Sequence, residues 1–397
     1  MIGVVGAGTM GSGIAQVALE AGHEVVLHDV DAAAVARGRD RIRDGLVRRA
    51  ARLELDAESI DEWVDGRLAG LREATTLDAV AGAAEVVIEA ALEDLDLKRT
   101  IFAALDREAL PDTILATNTS ALSVDAIADA TGRPGRVLGL HFFNPAPVMP
   151  LVEVVRGSRT VPGIVDLAVR MIEAWGKTPV VCSDVPGFIV NRVNRPFTLE
   201  ALAILDAGDA TVAEIDAATR SAGYPMGPFE LMDLVGIDVN LAAARSIHEA
   251  FVARGDALAD RFRPSPTQER LVAEGRLGRK TGGGFYSYDG GTRLAGTGGP
   301  AKGPAEETSA AAARIVERIE LAVINEAHRA VEDGVADPAA IDRALRLGAG
   351  HPEGPFVRWA GRGGPAAVLA RLADHAGGGP RFVPAGSLRP GSPPTVR

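Results

Sequence analysis

Near its start the chain runs from a short apolar stretch, residues 2–5, through Gly6-Ala-Gly8-Thr-Met-Gly11 into a segment with apolar residues at helical spacing. A strand that becomes a helix through three glycines so spaced admits few folds. The first glycine allows the tight turn, the second lets the backbone approach a pyrophosphate, and the third lets helix and strand pack closely. Free N–H groups at the helix start favour phosphate charge. Asp29 ends the next apolar run, 24–28, where a carboxylate can accept hydrogen bonds from ribose hydroxyls. Its charge repels a 2′-phosphate, and Val30 and Asp31 follow it rather than an arginine, so NAD is favoured over NADP.

Further apolar runs at 85–88, 113–116, 137–140 and 151–155 alternate with helical segments at 10–21, 31–51, 94–110 and 123–130. This alternation predicts a parallel sheet wrapped by helices. Segment 31–71 is long for a crossover and carries Arg41, Arg43, Arg48, Arg49 and Arg52, which predicts a projecting helical pair. After Pro186 the pattern turns helical, with segments at 188–207 (kinked by Pro196), 212–222 and 229–254. Beyond a stretch rich in Gly, Thr, Ala and Pro the chain repeats itself. Glu200-Ala201 returns as Glu326-Ala327 and Ile215-Asp216 as Ile341-Asp342, while Gly223-Tyr-Pro-Met-Gly-Pro-Phe229 returns as Gly350-His-Pro-Glu-Gly-Pro-Phe356. The organisation read here is a Rossmann-type α/β dinucleotide-binding domain at 1–183 and an all-α C-terminal domain at 184–288. A flexible linker at 289–310, a second copy of the helical module at 311–376 and a loose tail at 377–397 complete it.

The net charge of −11 opposes binding to nucleic acid or an anionic membrane surface. A single cysteine, Cys182, permits no intramolecular disulfide and no multi-cysteine metal cage, so no metal is expected. Strand-like residues at the N-terminus, without a basic leader or apolar h-region, point to a cytoplasmic protein.

His141 follows the apolar run 137–140, and Glu153 sits inside the apolar run 151–155. A carboxylate in such a strand is costly unless paired. Pairing with His141 relieves that cost and makes a general base, with the carboxylate fixing the imidazole tautomer. Ser120 is equally readable as a helix cap or as a crevice residue, and Asn191 alone would be an ordinary surface or capping asparagine.

The motifs Gly6–Gln16, Ala116-Thr-Asn-Thr-Ser120, His141-Phe-Phe-Asn-Pro-Ala-Pro-Val-Met149, Pro186-Gly-Phe-Ile-Val-Asn-Arg192, Gly223–Glu230 and Lys280-Thr-Gly-Gly-Gly-Phe-Tyr286 resemble the 3-hydroxyacyl-CoA dehydrogenase family, in particular its 3-hydroxybutyryl-CoA type. The resemblance implies NAD-dependent, reversible oxidation of a (3S)-hydroxyacyl-CoA to the 3-ketoacyl-CoA, with His141 as base, Glu153 as its partner, and Ser120 and Asn191 at the 3-oxygen. It implies a cofactor set of Gly6, Gly8, Thr9, Met10, Gly11, Asp29, Glu93, Lys98, Asn118, Ser120, Asn144 and Lys280. It also places CoA phosphates on the Arg-rich arm, where Arg48, Arg49 and Arg52 are the candidates. In the family the helical module forms the dimer contact, so a fused second copy implies either a homodimer or a pseudo-dimeric monomer. Two rival readings stand beside this one. A β-hydroxyacid dehydrogenase acting on a free hydroxy acid would need a lysine on the helix that carries Asn191, and a non-catalytic, crystallin-like or NAD-sensing descendant would need no site at all.

Overall fold

The computed structural model describes residues 1–298 and 305–389. They fall into two compact units, Met1–Phe188 and the chain from Ile189 onward. No helix among the described residues is long and apolar enough to cross a membrane.

The first unit is built on an eight-stranded sheet: β1 (Ile2–Val5), β2 (Val25–His28), β3 (Leu71–Ala74), β4 (Val86–Glu89), β5 (Ile114–Thr117), β6 (Val137–Phe142), β7 (Leu151–Arg156) and β8 (Thr178–Ser183). Their order is β3-β2-β1-β4-β5-β6-β7-β8, so the sheet reverses direction of growth between β1 and β4. Such a switch point leaves a crevice at the carboxyl ends of the strands. The helices are α1 (Thr9–Glu20), α2 (Ala32–Arg52), α3 (Ala57–Leu68), α4 (Leu77–Ala81), α5 (Leu95–Glu108), α6 (Val124–Ala128) and α7 (Pro162–Ala174). Strands β1, β2, β4 and β5 are buried throughout, as unbroken β-branched runs covered on both faces should be.

Three expectations need correction. The sheet is mixed, because β6 and β7 pair antiparallel. The residues between them, 143–150, are too few for a crossover, so the chain can only turn back. Strands β3 and β8 escaped the apolar pattern because they are the two edges of the sheet. β3 carries exposed Arg72 and Glu73, and β8 carries Pro179, a residue that edge strands tolerate. Finally, α2 does not project. It lies against α1 and the first turn, with Ile42 and Leu46 fully buried. A Cβ on Gly45 would come within 2.0 Å of Gln16 Oε1, and one on Gly38 within 2.7 Å of the Ala7 side chain.

The second unit is helical: α8 (Val190–Val193), α9 (Arg195–Asp206), α10 (Val212–Ser221), α11 (Pro228–Val235), α12 (Ile237–Ala253) and α13 (Pro266–Ala273). A hairpin of β9 (Tyr288–Asp289) and β10 (Thr292–Arg293) follows, then α14 (Ala305–Glu332), α15 (Pro338–Ala349), α16 (Pro355–Ala360) and α17 (Gly364–Asp374). The two Gly-x-Pro-x-Gly-Pro-Phe stretches fold alike. Asp216 accepts from the N–H groups of Phe229 and Glu230 at the start of α11, and Asp342 from those of Phe356 and Val357 at the start of α16. In both, a Cβ on the second glycine, Gly227 or Gly354, would lie 2.2 Å from the aspartate.

These stretches also meet reciprocally. A Cβ on Gly223 would rest 3.4 Å from Pro352, and one on Gly350 3.1 Å from Pro225. Arg192 Nε donates to Glu326 at 2.7 Å while Arg318 Nε donates to Glu200 at 2.6 Å.

His351 lies at this junction, 6% exposed, with Nε2 2.8 Å from Asn194 Oδ1 and its ring edge-on to Tyr224. Burial, helped by the nearby Arg358 charge, pushes its imidazole down to about 3 from an ordinary 6.5. The folded state therefore binds fewer protons than the unfolded one. The stability His351 confers is complete above pH 6.5 and is lost as pH falls from there towards 3, at most about 1.4 kcal/mol per unit. Urea unfolding of wild type and His351→Asn between pH 7.5 and pH 4.5 checks this (pH values chosen as roughly bracketing the unperturbed imidazole). The wild type is expected to lose stability more steeply, and parallel curves would rule the effect out.

The expected linker and tail are corrected where they are described. Residues 288–293 form the hairpin and α14 already begins at Ala305; residues 299–304 lie outside the described residues. Residues 377–389 are not loose: Phe382, Ala385 and Leu388 are buried, and Asn325 Nδ2 donates to the Arg381 and Val383 carbonyls at 2.8 Å. Apolar side chains spaced through a Gly- and Pro-rich stretch anchor it without regular structure. Residues 390–397 lie outside the described residues.

Candidate active site

The turn from β1 to α1 has the shape its glycines predict. Gly6 has φ +100°, and a Cβ there would lie 2.6 Å from the Ala90 carbonyl oxygen. A Cβ on Gly11 would lie 1.7 Å from the Gly6 carbonyl oxygen. Gly8, by contrast, has nothing within 4 Å of its Cβ position and starts α1 with no side-chain cap. The helix N-terminus is thus open to an anion, with Thr9 exposed and Met10 half-buried behind it. Asp29 is fixed beside it, accepting from Ala7 N–H and Val30 N–H at 2.7 Å each. This open, backbone-lined turn with a pinned carboxylate fits a dinucleotide.

His141 and Glu153 are register partners across the antiparallel β6–β7 pair. Nδ1 lies 2.7 Å from Glu153 Oε2, with the carboxylate fully buried and the imidazole 8% exposed. Nδ1–H donates to the carboxylate, so Nε2 keeps the lone pair that can take a proton. Phe143 and Phe188 pack against the ring, at 4.5 and 5.9 Å between centroids.

A second charged cluster orders the loop after β5. Glu93 accepts from Thr119 Oγ1 at 2.7 Å, Ser120 N–H at 2.8 Å and Ser120 Oγ at 3.2 Å. Burial opposes its ionisation, but these bonds and the Lys98 charge prevail and hold the carboxyl below its ordinary range. Lys98 is itself buried, with Nζ 2.7 Å from Glu89 and 3.4 Å from Glu93. It therefore positions Glu93 from behind. Glu89, fully buried at the end of β4, also accepts from Thr117 Oγ1 at 2.7 Å and was missed in the sequence. The signal was available: like Glu153, it is a carboxylate at an apolar strand that must be paired. Asn118 Oδ1 accepts from Phe142 N–H at 2.8 Å, tying β5 to β6 beside His141.

Asn144 and Thr9 line a cavity of about 350 Å³ together with Arg41, Arg48, Arg49 and Arg52. The four arginines give the lining a positive excess over Asp44, which shares it. Arg41, which also donates to the Ala7 carbonyl at 3.1 Å, was not among the candidates for the CoA phosphates. Two expected site residues belong to the second unit: Asn191 on α8, and Lys280, whose Nζ lies 2.6 Å from Asp238.

Similarity to known proteins decides the family. The model of the NAD binding domain of 3-hydroxyacyl-CoA dehydrogenase matches residues 1–185, and that of its C-terminal domain matches residues 187–288 and 315–376. The chain belongs to the 3-hydroxyacyl-CoA dehydrogenase family. Its cofactor is NAD. The chain is 47% identical over 288 residues to the 3-hydroxyadipyl-CoA dehydrogenase of Escherichia coli K12, which spans 72% of this chain but only 58% of that protein. It is 43% identical over 289 residues to the human mitochondrial hydroxyacyl-coenzyme A dehydrogenase, covering 72% of this chain and 90% of that one. The crystal structure of 3-hydroxybutyryl-CoA dehydrogenase from E. coli K12 superposes with a TM-score of 0.84 at 36% identity, over 98% of this chain and 97% of that one.

Proposed function

We propose that this dehydrogenase interconverts (3S)-hydroxyacyl-CoA and 3-ketoacyl-CoA, acting on short acyl chains. The observation that carries the reading is the buried His141–Glu153 pair at 2.7 Å. NAD held by Gly6, Gly8, Thr9, Met10, Gly11 and Asp29 supplies the hydride acceptor. His141 Nε2 takes the 3-hydroxyl proton as the C3–H bond breaks, and Glu153 stabilises the imidazolium that results. Ser120, oriented by Glu93, and Asn191 are assigned to the oxygen as it becomes a carbonyl. Glu93, Lys98, Asn118, Asn144 and Lys280 complete the cofactor assignment, Lys98 acting through Glu93. Arg48, Arg49 and Arg52, now with Arg41, are assigned to the CoA phosphates. NADH oxidation with acetoacetyl-CoA tests the reading. Absence of turnover with CoA thioesters of every chain length from C4 to C10 would overturn it, and would favour a non-catalytic descendant.

The reciprocal contacts inside the helical unit support a second part of the proposal. The segment from α14 onward takes the place of a partner's helical module, and the protein is a pseudo-dimeric monomer. Light scattering of the full chain is expected to report the mass of one chain; the mass of two would exclude this arrangement.

A further inference from the structure

Two arginines stand three residues apart at the start of the second unit and have opposite surroundings. Arg192 is fully buried and answered by Glu326 and Asp333, each at 2.7 Å. Arg195 is 6% exposed and has no carboxylate within 4.0 Å among the described residues. Among the described residues its Nε has no hydrogen-bond partner, and the guanidinium's one bond runs from Nη1 to the Asn240 carbonyl at 3.5 Å, the outer limit of such a contact. Burial, unopposed by any acid, brings its guanidinium down to about 10. A buried cation without a counter-ion is costly, and one with open donors is a receptor short of its anion.

Its place on the helix says which anion. Helical dihedrals continue through Asn194 (φ −81°, ψ −10°) from α8 into α9, so Arg195 follows Asn191 by four residues and shares its face. The proposed function assigns Asn191 to the 3-oxygen, and the present inference rests on that assignment. One helical turn, about 5 Å, then separates the backbone positions that carry the amide assigned to C3's oxygen and the guanidinium without a counter-ion. We propose that Arg195 receives a second carboxylate at the far end of the acyl chain, so that the preferred substrate is a 3-hydroxy dicarboxylic acyl-CoA with its free acid about one helical turn beyond C3. A planar guanidinium suits this task because it can grip a carboxylate through two parallel hydrogen bonds.

The test compares 3-hydroxyadipyl-CoA with 3-hydroxyhexanoyl-CoA, which differ only in a terminal carboxylate against a methyl group. Wild type is expected to prefer the dicarboxylate in kcat/KM. In Arg195→Met the ratio of the two kcat/KM values should fall on the order of 10²-fold, the effect of removing one partner of a buried charge pair. Arg195→Lys should lose part of the preference, since it keeps charge without the fork. A wild-type ratio near one, or an equal loss on both substrates, overturns the inference and leaves the proposed function standing. If wild type turns over neither of these but does turn over another thioester from C4 to C10, the inference fails alone; if it turns over none of them, the proposed function itself fails. Because Arg195→Met can disturb folding, a second measurement uses wild type alone: adipyl-CoA should inhibit more tightly than hexanoyl-CoA, and equal inhibition would contradict the inference.

Discussion

Replacing His141 with asparagine lowers turnover on the order of 10²- to 10⁴-fold while NAD binding is kept. Asparagine is the informative substitution because its amide can still donate to Glu153, as Nδ1 does now at 2.7 Å. Alanine would take that donor away from a fully buried carboxylate and confuse lost catalysis with lost stability. The dinucleotide turn and Asp29 make no use of the imidazole, so cofactor titration by fluorescence should be unchanged. Turnover within a few-fold of wild type would remove His141 from the role of base. Glu153→Gln is the companion: it keeps a hydrogen bond but cannot stabilise the imidazolium, so kcat should fall while NAD affinity holds.

Replacing Glu326 with alanine destabilises the helical unit by about 3–5 kcal/mol. Glu326 is 2% exposed and is held at 2.7 Å by Arg192 Nε through one oxygen and by Arg261 Nε through the other. Both guanidiniums are buried, so truncation removes two charge-assisted hydrogen bonds at once and leaves Arg192 with Asp333 alone and Arg261 with Asp256 alone, each at 2.7 Å. Glu200, equally buried, plays the same part for Arg318 and Arg381, so the helices are clamped by carboxylates gripped from two sides. The penalty arises from breaking the cluster rather than from any large net worth of the intact one. The triple variant Arg192→Met, Glu326→Leu, Arg261→Met should therefore be far less destabilised than Glu326→Ala alone. Chemical denaturation of the two variants checks this, and a single variant within about 1 kcal/mol of wild type, the range of a surface pair, would contradict it.

What could be read from the chain alone was what neighbouring residues decide among themselves. The glycine turn with Asp29, the first strands and helices, and the echo of one Gly-x-Pro-x-Gly-Pro-Phe stretch in another all depend on spacing and on the conformations few residues can adopt. The pairing of Glu153 with His141 was also legible, because a carboxylate in an apolar strand must find a partner. Tertiary structure alone decided the rest. Edge strands β3 and β8 carry charge or proline because one side meets no neighbour, so no apolar run announces them. The antiparallel turn of β6 into β7 sets the register that brings the imidazole to the carboxylate, and register belongs to two strands at once. Glu89 behind Lys98, and Arg195 with no acid to answer it among the described residues, are invisible in one dimension. A charge has meaning only through what lies within a few ångströms of it, and those neighbours come from distant parts of the chain.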